Sequence, residues 1–307
     1  MVSTSSAAPP FSREENTVEN NDTDYCDGFQ AYEWSIYSLT AFSCLCGLVG
    51  NSTVIWLLSF CIKRNPFTTY ILNLAIADFG TLLNLSARVV LLLPRICNTV
   101  PVLAFSLLFP CIFFTYSASL YFLTAISVER CLSVLFPIWY RCHRPERSSA
   151  VVSFLLWTIP GLLSGLLLVF NDYLVHESYL NVMTTIFTVN LLIFTPIMVA
   201  STLIMSIKIC HSSKRRQPPR LYITISITLL FFVILAVPFS VTYFVMLNTG
   251  LASLLLYDCS YLFASFNSSI NPIIYYFVGR GREKRRESLK VVLKRAFRDE
   301  AICKGGS

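Results

Sequence analysis

Four of the charged side chains inside the long apolar stretches of this sequence point most directly to chemistry. They are Asp78, Arg88, Glu129 and Arg130. A charge inside an apolar helix is costly, so the charges that remain there usually face a polar interior and take part in function. We therefore expect the function of the protein to depend on these positions.

Asp78 lies in the middle of its apolar stretch, and amide and hydroxyl side chains occur at matching positions in other stretches. These side chains are Asn51, Ser119, Asn267, Ser268 and Asn271. A carboxylate among amide and hydroxyl oxygens can hold a small cation such as sodium. Alternatively, Asp78 is protonated or hydrogen-bonded to water and only links helices. Both interpretations stay open.

Glu129 and Arg130 are adjacent at one end of their apolar stretch. Adjacent opposite charges can pair. The aliphatic part of an arginine side chain can also lie along apolar surface while its guanidinium reaches water. By themselves, these two residues indicate no more than an anchor at the membrane surface.

Seven apolar segments position these residues, and each is long enough to cross a bilayer as a helix. Of the 307 residues, 55% are hydrophobic and 13% are charged, against roughly 25% charged in a soluble domain. This composition predicts an all-α membrane protein with a seven-transmembrane helix bundle. The predicted spans are residues 34–60, 70–93, 102–135, 150–170, 179–209, 221–247 and 251–277.

The distribution of lysine and arginine predicts the orientation of the bundle, because these residues accumulate on the cytoplasmic side. One side carries 20 of them, in three loops and the C-terminal tail, and the opposite side carries only Arg13 and Arg95. That opposite side has ten acidic residues, among them Asp172, Glu177 and Asp258. We expect a multi-pass plasma-membrane protein with its N-terminus outside and its C-terminus in the cytoplasm.

Three cysteines, Cys26, Cys97 and Cys259, are predicted to face the oxidising extracellular side. They allow one bridge at most, and we favour Cys26 with Cys259, which would tie the N-terminal tail to the seventh span. The alternative leaves all three free. On the same side, Asn21 begins an Asn-Asp-Thr sequence and is the predicted glycosylation site.

The chain is predicted to divide into an extracellular N-terminal tail (1–33), the transmembrane bundle (34–277) and a cytoplasmic tail (278–307). Within residues 283–297, apolar side chains recur with helical spacing among lysines and arginines, at Leu289, Val292, Leu293 and Ala296. This spacing predicts a short amphipathic eighth helix that lies on the inner face of the membrane.

Together these features resemble the rhodopsin-like G-protein-coupled receptors over nearly the whole membrane domain. The resemblance is carried by Gly50-Asn51, residues 74–78 (Leu-Ala-Ile-Ala-Asp), Glu129-Arg130-Cys131, Trp157, Pro196, Phe232 with Pro238, and residues 271–275 (Asn-Pro-Ile-Ile-Tyr). Each motif stands on its proper helix at its proper depth, and this order is specific. Residues 64–67, 124–135, 137–145, 287–293 and 295–297 look more narrowly like the Mas and Mas-related receptor branch.

The resemblance implies a cell-surface receptor that binds an extracellular ligand, a peptide or a small polar molecule, and activates a heterotrimeric G protein. By similarity, coupling to the G protein and activation involve Glu129, Arg130, Phe232, Pro238 and Tyr275. The resemblance also implies a sodium pocket formed by Asp78, Ser119, Asn267 and Asn271. An allosteric sodium ion is the only cofactor that it implies.

Some positions depart from the family pattern. Ala236 stands where most of the family has a tryptophan, and Pro218-Pro219 stand where an acidic residue often holds Arg130. Phe105 replaces the common disulfide cysteine at the top of the third span. We therefore predict a weakly held inactive state and measurable signalling without ligand.

The ligand class depends on residues near the outer end of the bundle. Ile112 stands where amine receptors carry an aspartate, which disfavours a monoamine. Arg88 lies about 15 Å outward from Asp78, where it could bind a carboxylate or phosphate of a ligand through charge-assisted hydrogen bonds. Alternatively, Arg88 pairs internally with Asp172 or Glu177, or the acidic outer face attracts cationic peptides.

Other classes of protein fit less well. A membrane transporter or ion-coupled carrier is the main alternative, but no internal repeat is visible and Asp78 stands almost alone near the midplane. No catalytic cluster is visible, so we expect no enzyme. The net charge of +7 is explained by the cytoplasmic loops, and no nucleic-acid partner is expected.

Arrestin is a further possible partner of a receptor of this class. Ser288 and Ser307 are the only hydroxyl-bearing residues after Phe277. Because arrestin regulation uses such residues in the tail, we expect it to be weak here.

Overall fold

The computed structural model describes residues 31–62, 65–92, 102–143, 147–172, 176–211, 237–249 and 254–280, with isolated positions at 145, 227, 230, 231, 234, 235 and 291. Within these ranges the regular structure is helical. The helices are α1 (Ala31–Trp56), α2 (Pro66–Leu92), α3 (Val102–Leu135), α4 (Pro137–Cys142), α5 (Ser148–Asp172), α6 (His176–Val189), α7 (Thr195–His211), α8 (Val237–Thr249) and α9 (Leu254–Arg280). A π-helical turn, Leu57–Cys61, continues α1, and another, Asn190–Phe194, joins α6 to α7.

The helices follow the predicted spans closely. α3 has the predicted limits of 102 and 135, and α6, the π turn and α7 together cover the fifth span. α2 begins four residues earlier than predicted, and the short helix α4 was not predicted. The first part of the sixth span and the predicted eighth helix lie outside the described residues, apart from isolated positions such as Val291.

The early start of α2 has a local cause. Asn65 Oδ1 accepts a hydrogen bond from the Thr68 N–H at 2.7 Å, and Thr68 Oγ1 accepts one from the Asn65 N–H at 2.8 Å. This reciprocal cap satisfies two N–H groups that the first turn would otherwise leave unpaired. Pro66, at the first helical position, has no N–H to satisfy.

Five helical segments of the described chain are long and apolar enough to cross a membrane: Tyr32–Cys61, Pro66–Leu92, Leu107–Leu135, Ser148–Phe170 and Asn181–Lys208. α8 contributes a shorter apolar segment, Val237–Met246. α9 is 27 residues long, but it carries buried polar side chains that lower its hydropathy, including Asn267, Ser268 and Asn271.

The arrangement of the helices places α3 at the centre of the bundle. In its most apolar part 78% of the residues are buried, against 22% for α5, which lies at the periphery. α3 packs on α2, α5 and α7, whereas α1 packs on α2 and α9. The buried polar residues of α2, α3 and α9 therefore face one another along the axis of the bundle.

Candidate functional site

The centre of the bundle holds the Asp78 carboxylate, which is fully buried. One carboxylate oxygen accepts a hydrogen bond from the Ser119 hydroxyl at 2.7 Å, and the other accepts one from the Asn271 amide at 2.8 Å. Asp78 thus joins α2 to α3 and α9 through neutral donors. This part of the predicted cluster is brought together as the sequence indicated.

Asn51 satisfies a backbone carbonyl of α9 next to Pro272. Pro272 has no N–H, so the carbonyl of Ser268, one turn earlier in α9, lacks its helical partner. The Asn51 amide donates to that carbonyl at 3.0 Å. A side chain at Gly50 would come within 3.0 Å of the Pro272 ring, so glycine there lets α1 approach the kink closely.

The residues around Asp78 fit a small hard cation. Ser119, Ser268 and Asn271 form hydrogen bonds with Asp78, and Asn267 is also buried on α9. Each carries a hydroxyl or amide oxygen of the kind that sodium accepts. To bind a cation, Ser119 and Asn271 would turn their oxygens toward it instead of donating to Asp78. The same donors also suit a carboxylate that only links helices, so both interpretations of Asp78 remain compatible with the geometry.

Arg88 and Asp258 form a buried ion pair about 15 Å along α2 from Asp78. Arg88 Nη2 lies 3.2 Å from Asp258 Oδ1, and the two residues are 7% and 5% exposed. The Tyr37 hydroxyl donates to Asp258 Oδ2 at 3.0 Å. Three helices, α1, α2 and α9, therefore meet at one carboxylate.

Aromatic rings enclose the arginine of this pair. The Arg88 Cζ atom lies 3.9 Å from the centroid of the Tyr261 ring and 5.3 Å from that of Tyr257. The Tyr261 hydroxyl forms hydrogen bonds with those of Tyr243 and Tyr257. Further inward, Phe113, Phe187, Phe239 and Tyr243 pack against one another. We call the part of the bundle around Arg88 and Asp258 the Arg88 half.

The partner of Arg88 differs from the partners that the sequence predicts. Asp172 or Glu177 was expected as the internal partner, and Asp258 was counted among the acids of the outer face. Asp258 is instead buried in α9, and it does not contribute to an open acidic surface. A signal was available: Asp258 lies inside the seventh predicted span, about 20 Å from Asn271, close to the level of Arg88.

Of the other predicted ligand residues, the structure describes the side chain of only one. Ile112 is 1% exposed and belongs to the apolar core of α3. Asp172 and Glu177 lie in α5 and α6, and their side chains are outside the described part of the chain. Cys259 is a free cysteine, as in the alternative that left the cysteines unbridged, whereas Cys26 lies outside the described residues together with Asn21.

Arg130 lies at the opposite end of α3, about 16 Å from Ser119. It is 2% exposed, and its Cζ atom lies 3.6 Å from the centroid of the Phe67 ring. Its neighbour Glu129 accepts a hydrogen bond from the Tyr140 hydroxyl of α4 at 2.6 Å. We call this part of the bundle the Arg130 half. Phe67 was not predicted, because a phenylalanine in an apolar pattern is usually part of the core.

The remaining residues expected in activation are placed only in part. Tyr275 is 5% exposed in α9. Pro238 lies at the beginning of the described part of α8 and is half-buried. Phe232 lies outside the described residues. Their roles in activation stay predictions.

Comparison with known proteins identifies the class of this bundle. Residues 50–275 match the family model described as 7 transmembrane receptor (rhodopsin family). The chain is 40% identical over 283 residues to Mas-related G-protein coupled receptor member D of Homo sapiens, which covers 88% of this chain and 87% of that protein. It is 42% identical over 279 residues to proto-oncogene Mas of Mus musculus, covering 87% and 83%. Mas-related G-protein coupled receptor member X1 of Homo sapiens is 41% identical over 281 residues, covering 88% and 86%.

The chain belongs to the rhodopsin family of seven-transmembrane receptors and, within it, to the Mas and Mas-related G-protein-coupled receptors. It is an all-α, multi-pass protein of the plasma membrane whose partners are an extracellular ligand and a G protein, and it is not an enzyme. The comparisons give no support to the transporter alternative.

Proposed function

We propose that the Arg88 half of this receptor faces the extracellular side and the Arg130 half faces the cytoplasm. The observation that carries this orientation is the position of 20 lysines and arginines on the Arg130 side against two on the other. The burial of Asp258 does not change this count of basic residues. An N-terminal epitope tag should be labelled on intact cells and a C-terminal tag only after permeabilisation. The reverse pattern would contradict the orientation.

The Arg130 half binds the G protein, and exposed apolar side chains where α3 meets α4 form part of the contact surface. Ile138 is 76% exposed and Phe136 is 56% exposed. Apolar side chains that project from a basic loop are typical of a protein-binding surface. Arg130, at the end of α3, would meet the G protein once it becomes accessible.

Substitution of Ile138 tests this surface. Ile138→Ser should lower receptor-dependent nucleotide exchange on the purified G protein about fivefold or more, as for an interface residue worth at least 1 kcal/mol. Val151→Ser, at a residue of α5 that is 57% exposed, is the matched control and should leave exchange unchanged. Equal losses in both variants at equal surface expression would count against the proposed surface.

The Arg88 half binds the ligand, and an anionic group of the ligand takes the place of Asp258 on Arg88. Support comes from the geometry of the pair: one guanidinium nitrogen contacts Asp258 Oδ1 at 3.2 Å. A guanidinium offers five N–H donors, and a carboxylate or phosphate can accept two of them in parallel. Ligand binding would then exchange one anionic partner for another and free Asp258 and α9 to move.

A charge-exchanged variant separates ligand recognition from the internal pair. Arg88→Asp combined with Asp258→Arg keeps an ion pair between α2 and α9 but moves the arginine to the other helix. A panel of small carboxylates and phosphates, with uncharged amides as controls, should include an agonist of the wild-type receptor to which this variant no longer responds. An unchanged dose–response curve would remove Arg88 from the ligand site.

Cationic peptides are the second candidate ligands. Acidic residues predicted outside the membrane, with Glu14, Glu15 and Glu19 in the N-terminal tail, would attract them over long distances. Their potency should fall steeply with added salt, because salt screens exposed charges beyond about 10 Å at 0.1 M. A potency that does not depend on salt would disfavour this candidate.

The Asp78 site binds sodium as an allosteric ion, and the receptor signals measurably without ligand. The oxygen-bearing side chains around Asp78 support the first statement, and the absence of an acid at Pro218-Pro219 in the sequence supports the second. Arrestin recruitment is weak, because the tail after Phe277 has only two serines. Strong recruitment after activation would contradict that expectation.

A further inference from the structure

Arg130 is placed where a partner protein cannot reach it. The residue is 2% exposed, and its guanidinium lies over the face of the Phe67 ring with 3.6 Å between Cζ and the ring centroid. The π electrons of the ring attract a cation, and the attraction grows when water is excluded. In this conformation the guanidinium therefore rests on α2 instead of projecting from the bundle.

Phe67 is a rigid platform for this contact. The ring is 3% exposed, and the residue is the second of α2. It stands between Pro66 and Thr68, within the reciprocal cap that joins Asn65 to Thr68. Because the cap and the proline fix the backbone on both sides of Phe67, the ring has little freedom to follow the arginine if α3 moves.

We propose that Phe67 is a positioning residue that holds Arg130 inside the bundle, and that this contact must break before Arg130 meets the G protein. The inference rests on the proposed role of Arg130 in coupling. Phe67 is neutral, so its separation from Arg130 leaves no buried carboxylate behind, as separation of an ion pair would. The contact stabilises the conformation in which Arg130 is inaccessible, so weakening the contact raises basal coupling.

Fluorinated phenylalanines at position 67 test the inference with little change of shape. Successive fluorine atoms withdraw electron density from the ring and weaken its attraction for a cation. Introduced by nonsense suppression into the full-length receptor, they should raise basal nucleotide exchange on the purified G protein step by step. We expect a total rise of about two- to fivefold, the range set by cation–π contacts of ordinary strength.

A matched control separates the cation from the packing. Phe122 is fully buried on α3 and contacts the Trp157 ring at 5.5 Å between centroids. The same fluorinated series at Phe122 should show no trend in basal exchange. A flat or falling series at Phe67, at equal surface expression, would overturn the inference, and so would equal trends at the two positions.

Ordinary substitutions give a second, independent measurement. Phe67→Leu removes the ring but keeps an apolar side chain, and it should raise basal exchange, whereas Phe67→Trp keeps an aromatic face and should hold it near the wild-type value. Thr68→Val removes the hydrogen bonds that Thr68 Oγ1 forms with the Asn65 backbone, and it should produce a smaller rise. Equal basal exchange in Phe67→Leu and Phe67→Trp would contradict the inference.

The outcome for Arg130 itself distinguishes this inference from the proposed function. If Arg130→Ala keeps full coupling, the proposed role of Arg130 fails whatever the fluorinated series shows. If Arg130→Ala loses coupling and the fluorinated series is flat, the coupling role stands and only the role of Phe67 fails.

Discussion

Two buried arginines in the described part of the bundle, Arg88 and Arg130, are held in different ways. Arg88 lies 3.2 Å from a carboxylate oxygen of Asp258 and also over the Tyr261 ring, at 3.9 Å from its centroid. Arg130 lies over the Phe67 ring, at 3.6 Å from its centroid. Both contacts lie in the interior, yet the first joins opposite charges and the second joins a charge to a neutral ring.

This difference matters for what each half of the bundle can do. Separating Arg88 from Asp258 without a replacement leaves two buried charges, which is strongly unfavourable. Separating Arg130 from Phe67 leaves a neutral ring in an apolar setting, at a much smaller cost. The Arg88 half is therefore suited to a contact that only a ligand of matching charge can replace. The Arg130 half is suited to a contact that opens and closes at equilibrium.

The largest effect is expected from breaking the ion pair. Asp258→Ala should destabilise the receptor by about 3–5 kcal/mol, because Arg88 would remain buried without its carboxylate partner. Thermal denaturation of the solubilised receptor should show a fall in Tm on the order of 10 °C. Arg88→Met combined with Asp258→Leu removes both charges and should recover most of the loss. If Asp258→Ala is as stable as the wild type, the pair of Arg88 and Asp258 does not stabilise the receptor.

The hydrogen bonds of two tyrosines test the same difference, with smaller expected effects. Tyr37→Phe removes a buried hydrogen bond of 3.0 Å to Asp258, and we expect a loss of about 1.5–3 kcal/mol, typical of bonds to charged groups. Tyr140→Phe removes a bond of 2.6 Å to Glu129, but both side chains are half-buried, and we expect about 0.5 kcal/mol. The measurement is again thermal denaturation. Equal losses of stability in the two variants would mean that these two tyrosine hydrogen bonds contribute equally in the two halves.

The Asp78 site lies between the two arginines, and its expected effect is smaller than the loss of the ion pair. If it binds sodium, replacing potassium chloride by sodium chloride at constant ionic strength should lower basal nucleotide exchange about fivefold, the low end of coupling between two sites. Asp78→Asn removes the charge and should abolish the difference between the salts. Asn84→Asp, a change on α2 at a half-exposed residue, is a control that should keep the salt effect. If Asp78→Asn shows the same salt response as the wild type, the Asp78 carboxylate links helices and does not bind the ion.

Much of the fold could be predicted from the sequence, because membrane spans follow from length and hydropathy. The limits of α3 were predicted to the residue, and Asp78, Ser119 and Asn271 were expected in one cluster and lie together. The early start of α2 was missed, because its cap depends on hydrogen bonds that a hydropathy pattern does not contain.

The contacts of the two arginines were harder to predict. The pairing of Arg88 with Asp258 depends on how α2 and α9 are rotated relative to each other, and a single sequence does not contain that angle. Asp258 was counted with the acids of the outer face, although it lies inside the seventh predicted span. The contact of Arg130 with Phe67 depends in the same way on how α3 passes the beginning of α2.

Basal nucleotide exchange in Arg130→Ala and Arg88→Ala, measured side by side at matched surface expression, tests most directly whether the two arginines serve different functions. We predict that exchange in Arg130→Ala falls to the level of membranes without receptor. Arg88→Ala, in which the link between α2 and α9 is lost, should retain or exceed wild-type exchange. Exchange at the wild-type level in Arg130→Ala, or its loss in Arg88→Ala alone, would contradict this division between the two halves of the bundle.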